Sequence, residues 1–437
     1  MSSNSPTKDS VIVPDNIARS VILPESYTSE DIFLPASKWL RDNTPVGYAS
    51  IDGWDPVWLI SKYEDVKQIE MNAALFPSAD NNQHAVLQDQ ATDGFQRSLN
   101  NGNIRIMDVL IFMDPPEHTK IRAIANNWFM PANVRKFTDQ MRMHAKNSVE
   151  HLLSFDGECD FMNDFAMHYP LRVIMSLFGV PPEDEGMMLK LTREFFSPAD
   201  PRVMKDKGVE ANDPAAAAKG FKQTLDTFYA YFEDLTEDRR RHPRDDLATL
   251  LATAEVDGQL LTKNYINGFY LAIATAGHDT TSASTTGALL GMMRHPEQWD
   301  LIKSDMSHIP GLIDESIRYI SPVRHFMRTA KEDTEIRGVE IRKNDRIMLL
   351  YPSANRDEDV YENPDVFEMR RKPNRHLGFG FGPHMCIGQH VAKMELAILW
   401  EELLPKLKSV ELAGTPGLAY TNWVGAHTSL PIRFVKA

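Results

Sequence analysis

Apolar residues recur at intervals of three and four over long stretches of this chain, the repeat expected of helices that bury one face. The spacing predicts helices over 117–130, 134–154, 264–294, 310–320 and 388–406. Strand-like stretches are short: around 47–60 (VGYASIDGWDPVWLI), over 334–350, and SLPIRF near the C-terminus. The expected class is mainly α with smaller β-sheets. No internal repeat or long low-complexity linker is visible. Segments 78–106 and 196–218 have the weakest periodicity, the second containing Pro198, Pro201 and Pro214. Both read as surface loops or short helices that could cover a site.

Composition narrows the class further. The 437 residues are 42% hydrophobic and 25% charged, as in an ordinary globular protein. No run of about 18 apolar residues occurs, so no membrane-spanning helix is expected. The polar start MSSNSPTKDS lacks the apolar core of a secretory signal and reads as a disordered tail over 1–12. A single domain over 13–437 follows. The chain carries 47 basic against 61 acidic residues, a net charge of −14, which argues against nucleic acid and anionic membrane as partners. Only two cysteines are present, Cys159 and Cys386. That is too few for a disulfide framework, a zinc ribbon or a cysteine-ligated iron–sulfur cluster, and points to the cytoplasm.

The chemistry concentrates around Cys386. Residues His376 to Gln389 read HLGFGFGPHMCIGQ and lead into the helical pattern VAKMELAILWEELLPKL. Gly378, Gly380 and Gly382, followed by Pro383, impose an irregular backbone that approaches something closely. Cys386 falls just before the helix start, where unpaired amides and the helix dipole favour a thiolate and lower the thiol pKa. Three other readings compete. A phosphate-binding loop fails because Gly380-x-Gly382 continues into His384 and Met385 and lacks a Lys-Ser/Thr ending. A zinc site of His384, Cys386 and His390 has no fourth ligand nearby. A buried, inert cysteine at a tight turn is the bland reading.

A second unusual stretch interrupts the long helix predicted over 264–294. Its middle reads ATAGHDTTS, residues 274–282. Gly277 costs about 1 kcal/mol against alanine in a helix interior, and Asp279, Thr280 and Thr281 can compete with the helix ladder through their side chains. The structural alternative is a set of small residues that lets two helices cross closely.

The loop Phe379-Gly380-x-Gly382-x-His384-x-Cys386-x-Gly388 resembles, at every defining position, the haem-binding loop of the cytochrome P-450 family. The resemblance runs from about residue 15 to the end, with all motifs in the family's order. It implies the cytochrome P-450 fold, with haem b between the long central helix and the helix after the cysteine. Cys386 would be the axial thiolate and the one protein ligand to iron. Phe379 would pack near the thiolate face, the Gly388 amide would donate to sulfur, and His384 would reach a propionate. Ala276-Gly277-His278-Asp279-Thr280 matches the motif on the oxygen side. Gly277 would make room for dioxygen beside a locally widened helix, Thr280 would supply a hydrogen-bonding alcohol, and Asp279 would relay protons. His278 faces away in this reading.

Further motifs follow the same resemblance. His118 and Arg122 in DPPEHTKIR, and Arg328 in FMRTA, match propionate-binding residues. Glu315-x-x-Arg318 is similar to the buried pair that locks the core behind the cysteine loop, with Arg371 or His376 as its third member. Ala272, Ala276, Val323, Phe326 and Val424 correspond to substrate-pocket positions, and their apolar character fits a hydrocarbon-like ligand.

The implied activity is haem-thiolate monooxygenation of a small hydrophobic substrate. FDGECDFM, AIATAGHDTT and NRHLGFG resemble a bacterial, terpene-hydroxylating subgroup, which makes a monoterpenoid or a small aromatic hydrocarbon the expected substrate. Nothing in the chain is left for a flavin or nicotinamide module. Electrons would come from NAD(P)H through an external reductase and a transient [2Fe–2S] ferredoxin, with Arg370, Lys372, Arg375 and Lys393 as a docking cluster. A monomer is expected. The rival function is a haem protein that binds or senses a small ligand without turnover.

Overall fold

A computed structural model describes residues 11–79, 82–196, 205, 214–425 and 427–437. Most of the first segment read as a tail, and the greater part of the proposed covering segment at 196–218, lie outside the described residues.

The molecule is organised around the helix Lys263–Arg294, which is buried on most sides. It packs against His168–Phe178, Pro214–Arg241 and Ile309–Ile320. Such a helix must be apolar or internally satisfied all round. Its serines and threonines meet that demand locally: Thr275, Thr280, Ser282, Ser284 and Thr285 each donate to the carbonyl four residues back. The helix Gln389–Leu403 lies against Thr138–Ser154 and Ile309–Ile320, completing the helical body.

The sheets flank this body. One has the order Val46–Ala49, Val57–Ile60, Arg346–Leu350, His325–Thr329, with the middle pair parallel and the outer pairs antiparallel. A smaller antiparallel sheet joins Leu407–Leu412, Pro431–Lys436 and Glu158–Asp160. The mainly α expectation holds. The strand region at 47–60 is two strands with a turn between them, and the helix read over 117–130 ends at Asn126. Segment 78–106 contains a helix, Gln90–Leu99. No helix among the described residues is long and apolar enough to cross a membrane.

Behind the cysteine loop, Glu315 and Arg318 form a fully buried pair with contacts of 2.7 and 2.8 Å. Arg318 also donates to the carbonyls of Asn355 and Pro364. Arg371 approaches Glu315 to 3.4 Å, whereas His376 faces Asp314, 3.5 Å away. Arg371 is therefore the third member, and Asn374 adds a hydrogen bond of 3.0 Å to Glu315.

Candidate functional site

The loop ahead of Gln389–Leu403 is held by its own backbone. The Cys386 amide donates to the Phe379 carbonyl at 2.8 Å, and Gly380 and Gly382 sit at φ +68° and +67°. Those left-handed conformations suit glycine, and a Cβ on Gly382 would fall 2.5 Å from the Glu70 carbonyl oxygen. Gly388 caps the following helix, so the amides of Gly388 and Gln389 reach the Cys386 sulfur. The thiol itself departs from expectation. Burial pushes it above the ordinary thiol range, outweighing the Gly388 amide, Arg122 and the Gln389 amide. A helix start stabilises a thiolate, but a sulfur this deeply buried needs a cation as well.

Cys386 lines an internal cavity of about 290 Å³. The same cavity is lined by His118, Arg122, Ala272, Ala276, Gly277, Thr280, Val323, Phe326, Arg328, Phe379, Gly380, His384, Gly388 and Val424. The sequence-derived residues thus converge from five separate stretches of chain. Val323 and Val424 are neighbours across an isolated antiparallel bridge, which brings the C-terminal segment into the wall.

Asp279 does not line the cavity. Its Oδ1 lies 3.1 Å from Nδ1 of His278, to the side of the central helix. His278 is buried and turned away, with Nε2 2.7 Å from the Met167 carbonyl. The central helix also runs through Gly277 as unbroken α-helix, without the expected widening. Thr280 keeps its hydroxyl on the Ala276 carbonyl at 2.7 Å, preserving the ladder there. Gly277 borders the cavity and also packs closely on another helix, where a Cβ would fall 2.6 Å from Cδ1 of Ile174 on His168–Phe178.

The polar wall is built from cations and imidazoles. The His118 and His384 rings stand 4.2 Å apart. His384 Nε2 lies 3.3 Å from Ser78 Oγ and 3.8 Å from Asp114, whose carboxylate accepts the amides of Ser78 and Ala79. Burial opposes the charge on Asp114, yet His384 and those amides hold it below the usual carboxylate range. Burial, with His384 and Arg122 nearby, pushes His118 down to about 4. Arg122 donates to the Met385 carbonyl at 2.7 Å. Arg328 is buried and lies 3.6 Å from Glu70.

These residues fit haem. A buried soft donor faces a cavity whose wall is otherwise largely apolar, and the same wall carries Arg122, Arg328, His118 and His384. Nε2 of His118 is buried without a hydrogen-bond partner, as expected of a group meant for a ligand. Two arginines and two imidazoles suit a pair of carboxylates such as the haem propionates. The zinc alternative has no support: among the described residues no three His, Cys, Asp or Glu side chains converge to hold a metal.

Two carboxyls of the cavity wall escaped the sequence reading. Glu395 is fully buried on the helix after the cysteine and accepts a hydrogen bond from Thr281 at 3.0 Å. Glu70 is buried on the helix Tyr63–Met71 and accepts one from the Tyr351 phenol at 2.6 Å. Each occupies a position on an apolar stripe, four residues after Val391 and Val66 respectively. A carboxyl on such a stripe is the signal that could have found them.

Comparison with known proteins identifies the family. The family model Cytochrome P-450 matches residues 53–416. The chain is 52% identical over 427 residues to cytochrome P-450-terp of a Pseudomonas species, covering 97% of this chain and 99% of that one. It is 31% identical to the steroid C26-monooxygenase of Rhodococcus jostii, over 95% of this chain and 86% of that protein. The crystal structure of CYP108D1 from Novosphingobium aromaticivorans superposes with a TM-score of 0.89 at 36% identity, covering 98% of this chain and all of the other. A Mycobacterium marinum cytochrome P-450 in complex with pseudoionone gives 0.85 at 26% identity, over 99% of this chain and 100% of that one. With the cysteine loop, the central helix and the whole length of the fold in agreement, the chain belongs to the cytochrome P-450 family of haem-dependent monooxygenases.

Proposed function

We propose that this enzyme hydroxylates a small, hydrophobic terpenoid, taking electrons from a separate [2Fe–2S] ferredoxin. The observation that carries the reading is one cavity lined by Cys386, by Thr280 and by apolar side chains. Leu110, Ile111, Phe195 and Phe269 extend the apolar wall beyond the positions read from sequence. Such a wall binds a hydrocarbon-like molecule by burial and offers it few hydrogen bonds. The similarity to cytochrome P-450-terp, and the pseudoionone bound to the Mycobacterium marinum relative, support a terpenoid.

Haem, when bound, supplies oxygen activation and hydroxyl transfer through its own chemistry. The protein's part is to hold, to dry and to deliver protons. The amides of Gly388 and Gln389 support the Cys386 sulfur. His118, Arg122, Arg328 and His384, which line the same cavity, would hold the propionates. Thr280 presents an alcohol to the cavity that can leave the Ala276 carbonyl and donate to a ligand. Thr281, one residue on, hydrogen-bonds Glu395, whose burial pushes its carboxyl well above the usual range. Glu395 is therefore a candidate proton donor beside the alcohol pair, in addition to Asp279, which lies against His278 and would act as a relay rather than in direct contact.

On the outer side of the cysteine loop, Lys372 and Arg375 are exposed. Arg370 pairs with Glu368 and Lys393 with Asp314, so only part of the expected docking charge is available to an acidic ferredoxin. Two measurements test the reading. The ferrous–carbon monoxide complex should show the red-shifted Soret band of thiolate ligation. Titration with monoterpenols and small aromatic hydrocarbons should give spin-state shifts that are largest for the terpenoids. A Soret band at the histidine-haem position, or a preference for aromatics, would sink the corresponding half.

A further inference from the structure

Glu70 is the wall residue for which the activity above has no use. It is 2% exposed and lies on the same stripe of the helix Tyr63–Met71 as Tyr63 and Val66. The Tyr351 hydroxyl donates to Oε1 at 2.6 Å, the Arg328 guanidinium stands 3.6 Å away, and Oε2 has no hydrogen-bond partner. The cysteine loop is folded over this carboxyl: a Cβ on Gly380 would fall 3.2 Å from Oε1. Glu70, Arg328, Tyr351 and Gly380 all border the cavity that Cys386 lines.

We infer that Glu70 is a proton-exchanging group in the cavity wall whose charge state sets the reduction potential of the bound haem. The inference rests on the haem-thiolate reading above. An ionised carboxyl in a buried wall adds negative charge beside the iron and disfavours the added electron. It also draws Arg328 away from any anion in the cavity, whereas the protonated acid does neither. Burial pushes the Glu70 carboxyl up to about 7, against Arg328, the Tyr351 hydroxyl and the Phe381 amide, so the exchange falls near neutral pH.

The groups facing Glu70 are few. Arg328 comes from the strand His325–Thr329 and Tyr351 from the short helix Tyr351–Ala354. The cysteine loop brings the Phe381 amide and, beyond it, His384, which engages Ser78 and Asp114. On its own helix, Lys67 turns to the Phe381 ring and Asp65 pairs with Arg337. Arg328 is thus the one cation at ion-pair distance from Glu70 among the described residues. Burial holds His118 and His384 below the ordinary imidazole range, and the other wall carboxyl, Glu395, lies on the helix after the cysteine against Thr281.

The test is a spectroelectrochemical titration of the holoprotein between about pH 6 and pH 8, after its ferrous–carbon monoxide band has established thiolate ligation. The potential should fall as pH rises, so that at a fixed electrode potential the reduced-to-oxidised ratio drops several-fold. Glu70→Gln should flatten the profile at the wild-type acid-side value, because the amide mimics the neutral acid. Tyr351→Phe removes a donor to the carboxylate and should move the inflection to higher pH. A Glu70→Gln profile that keeps the wild-type slope overturns the inference, as does an inflection that stays put or moves down in Tyr351→Phe. Absence of the thiolate band would instead remove the haem-thiolate reading and this inference with it.

Discussion

Thr281 on the central helix donates its hydroxyl to Glu395 on the helix after the cysteine, at 3.0 Å, so a buried carboxyl ties the oxygen side of the cavity to the thiolate side. Oε2 of Glu395 is buried without a hydrogen-bond partner, and burial pushes the carboxyl well above the usual range. Glu395→Gln keeps the shape and the hydrogen bond from Thr281 while removing the exchangeable proton. Turnover should fall on the order of 10²-fold, the scale of a lost general acid, with little change in melting temperature. Stopped-flow and thermal melts together check this; unchanged turnover would show that the carboxyl is only a strut.

Thr280 is expected to act at a later point than binding. Its hydroxyl borders the cavity but satisfies itself on the Ala276 carbonyl, so Thr280→Ala should bind substrate as the wild type does. Electron uptake should then be diverted to hydrogen peroxide. The measurement is product formed per NADH consumed, which should fall several-fold while NADH consumption persists. Tight coupling in the variant would refute the role given to this alcohol.

The cysteine loop, the central helix and the cationic wall were legible because each carries several constrained residues within a short span. The helical body was legible from its period. What escaped was geometry set by other segments. The close packing of Gly277 against Ile174, on a different helix, is such a feature. So is the contact of Asp279 with His278, which leaves Asp279 off the cavity lining. The burial that raises the Cys386 thiol is likewise set by other segments, whereas the helix start that favours the thiolate is local. Glu70 and Glu395 sit among apolar neighbours whose partners, Tyr351 and Thr281, lie 281 and 114 residues away in the chain.

The Glu315 network gives a stability prediction. Glu315 is fully buried and satisfies Arg318, Arg371, Asn374 and the Glu368 amide. Glu315→Ala leaves the Arg318 guanidinium buried without its counter-charge, a loss of about 3–5 kcal/mol. The holoprotein should unfold at much lower urea and lose haem readily. Arg371→Ala removes a longer contact at the edge of the network and should cost less. Equal losses for the two variants would contradict the hierarchy of distances.

Acidification should destabilise the fold before most carboxylates titrate. Burial pushes His84 down to about 3, His325 to about 4 and His427 to about 3, all below the ordinary imidazole value of 6.5. The contacts of His325 show why its charge is excluded: Nδ1 lies 2.7 Å from the Asn422 carbonyl, so it donates, and Nε2 accepts the Leu87 amide at 2.9 Å. The unfolded chain binds these protons first, so stability present above pH 6.5 is lost as pH falls toward 4, at up to about 1.4 kcal/mol per pH unit for each histidine. Glu70 works the other way between about 7 and 4.5, as does Glu395, since burial makes the folded-state value the higher one in both, and together they offset roughly two of the three histidines. Urea midpoints measured from pH 8 to pH 4.5 should therefore fall below pH 6.5. His325→Gln, which cannot take up the proton, should start less stable by about 1–3 kcal/mol for its disturbed backbone partners. Its acid slope should be shallower by about one proton, and a slope equal to that of the wild type would rule out His325 as a source of the acid sensitivity.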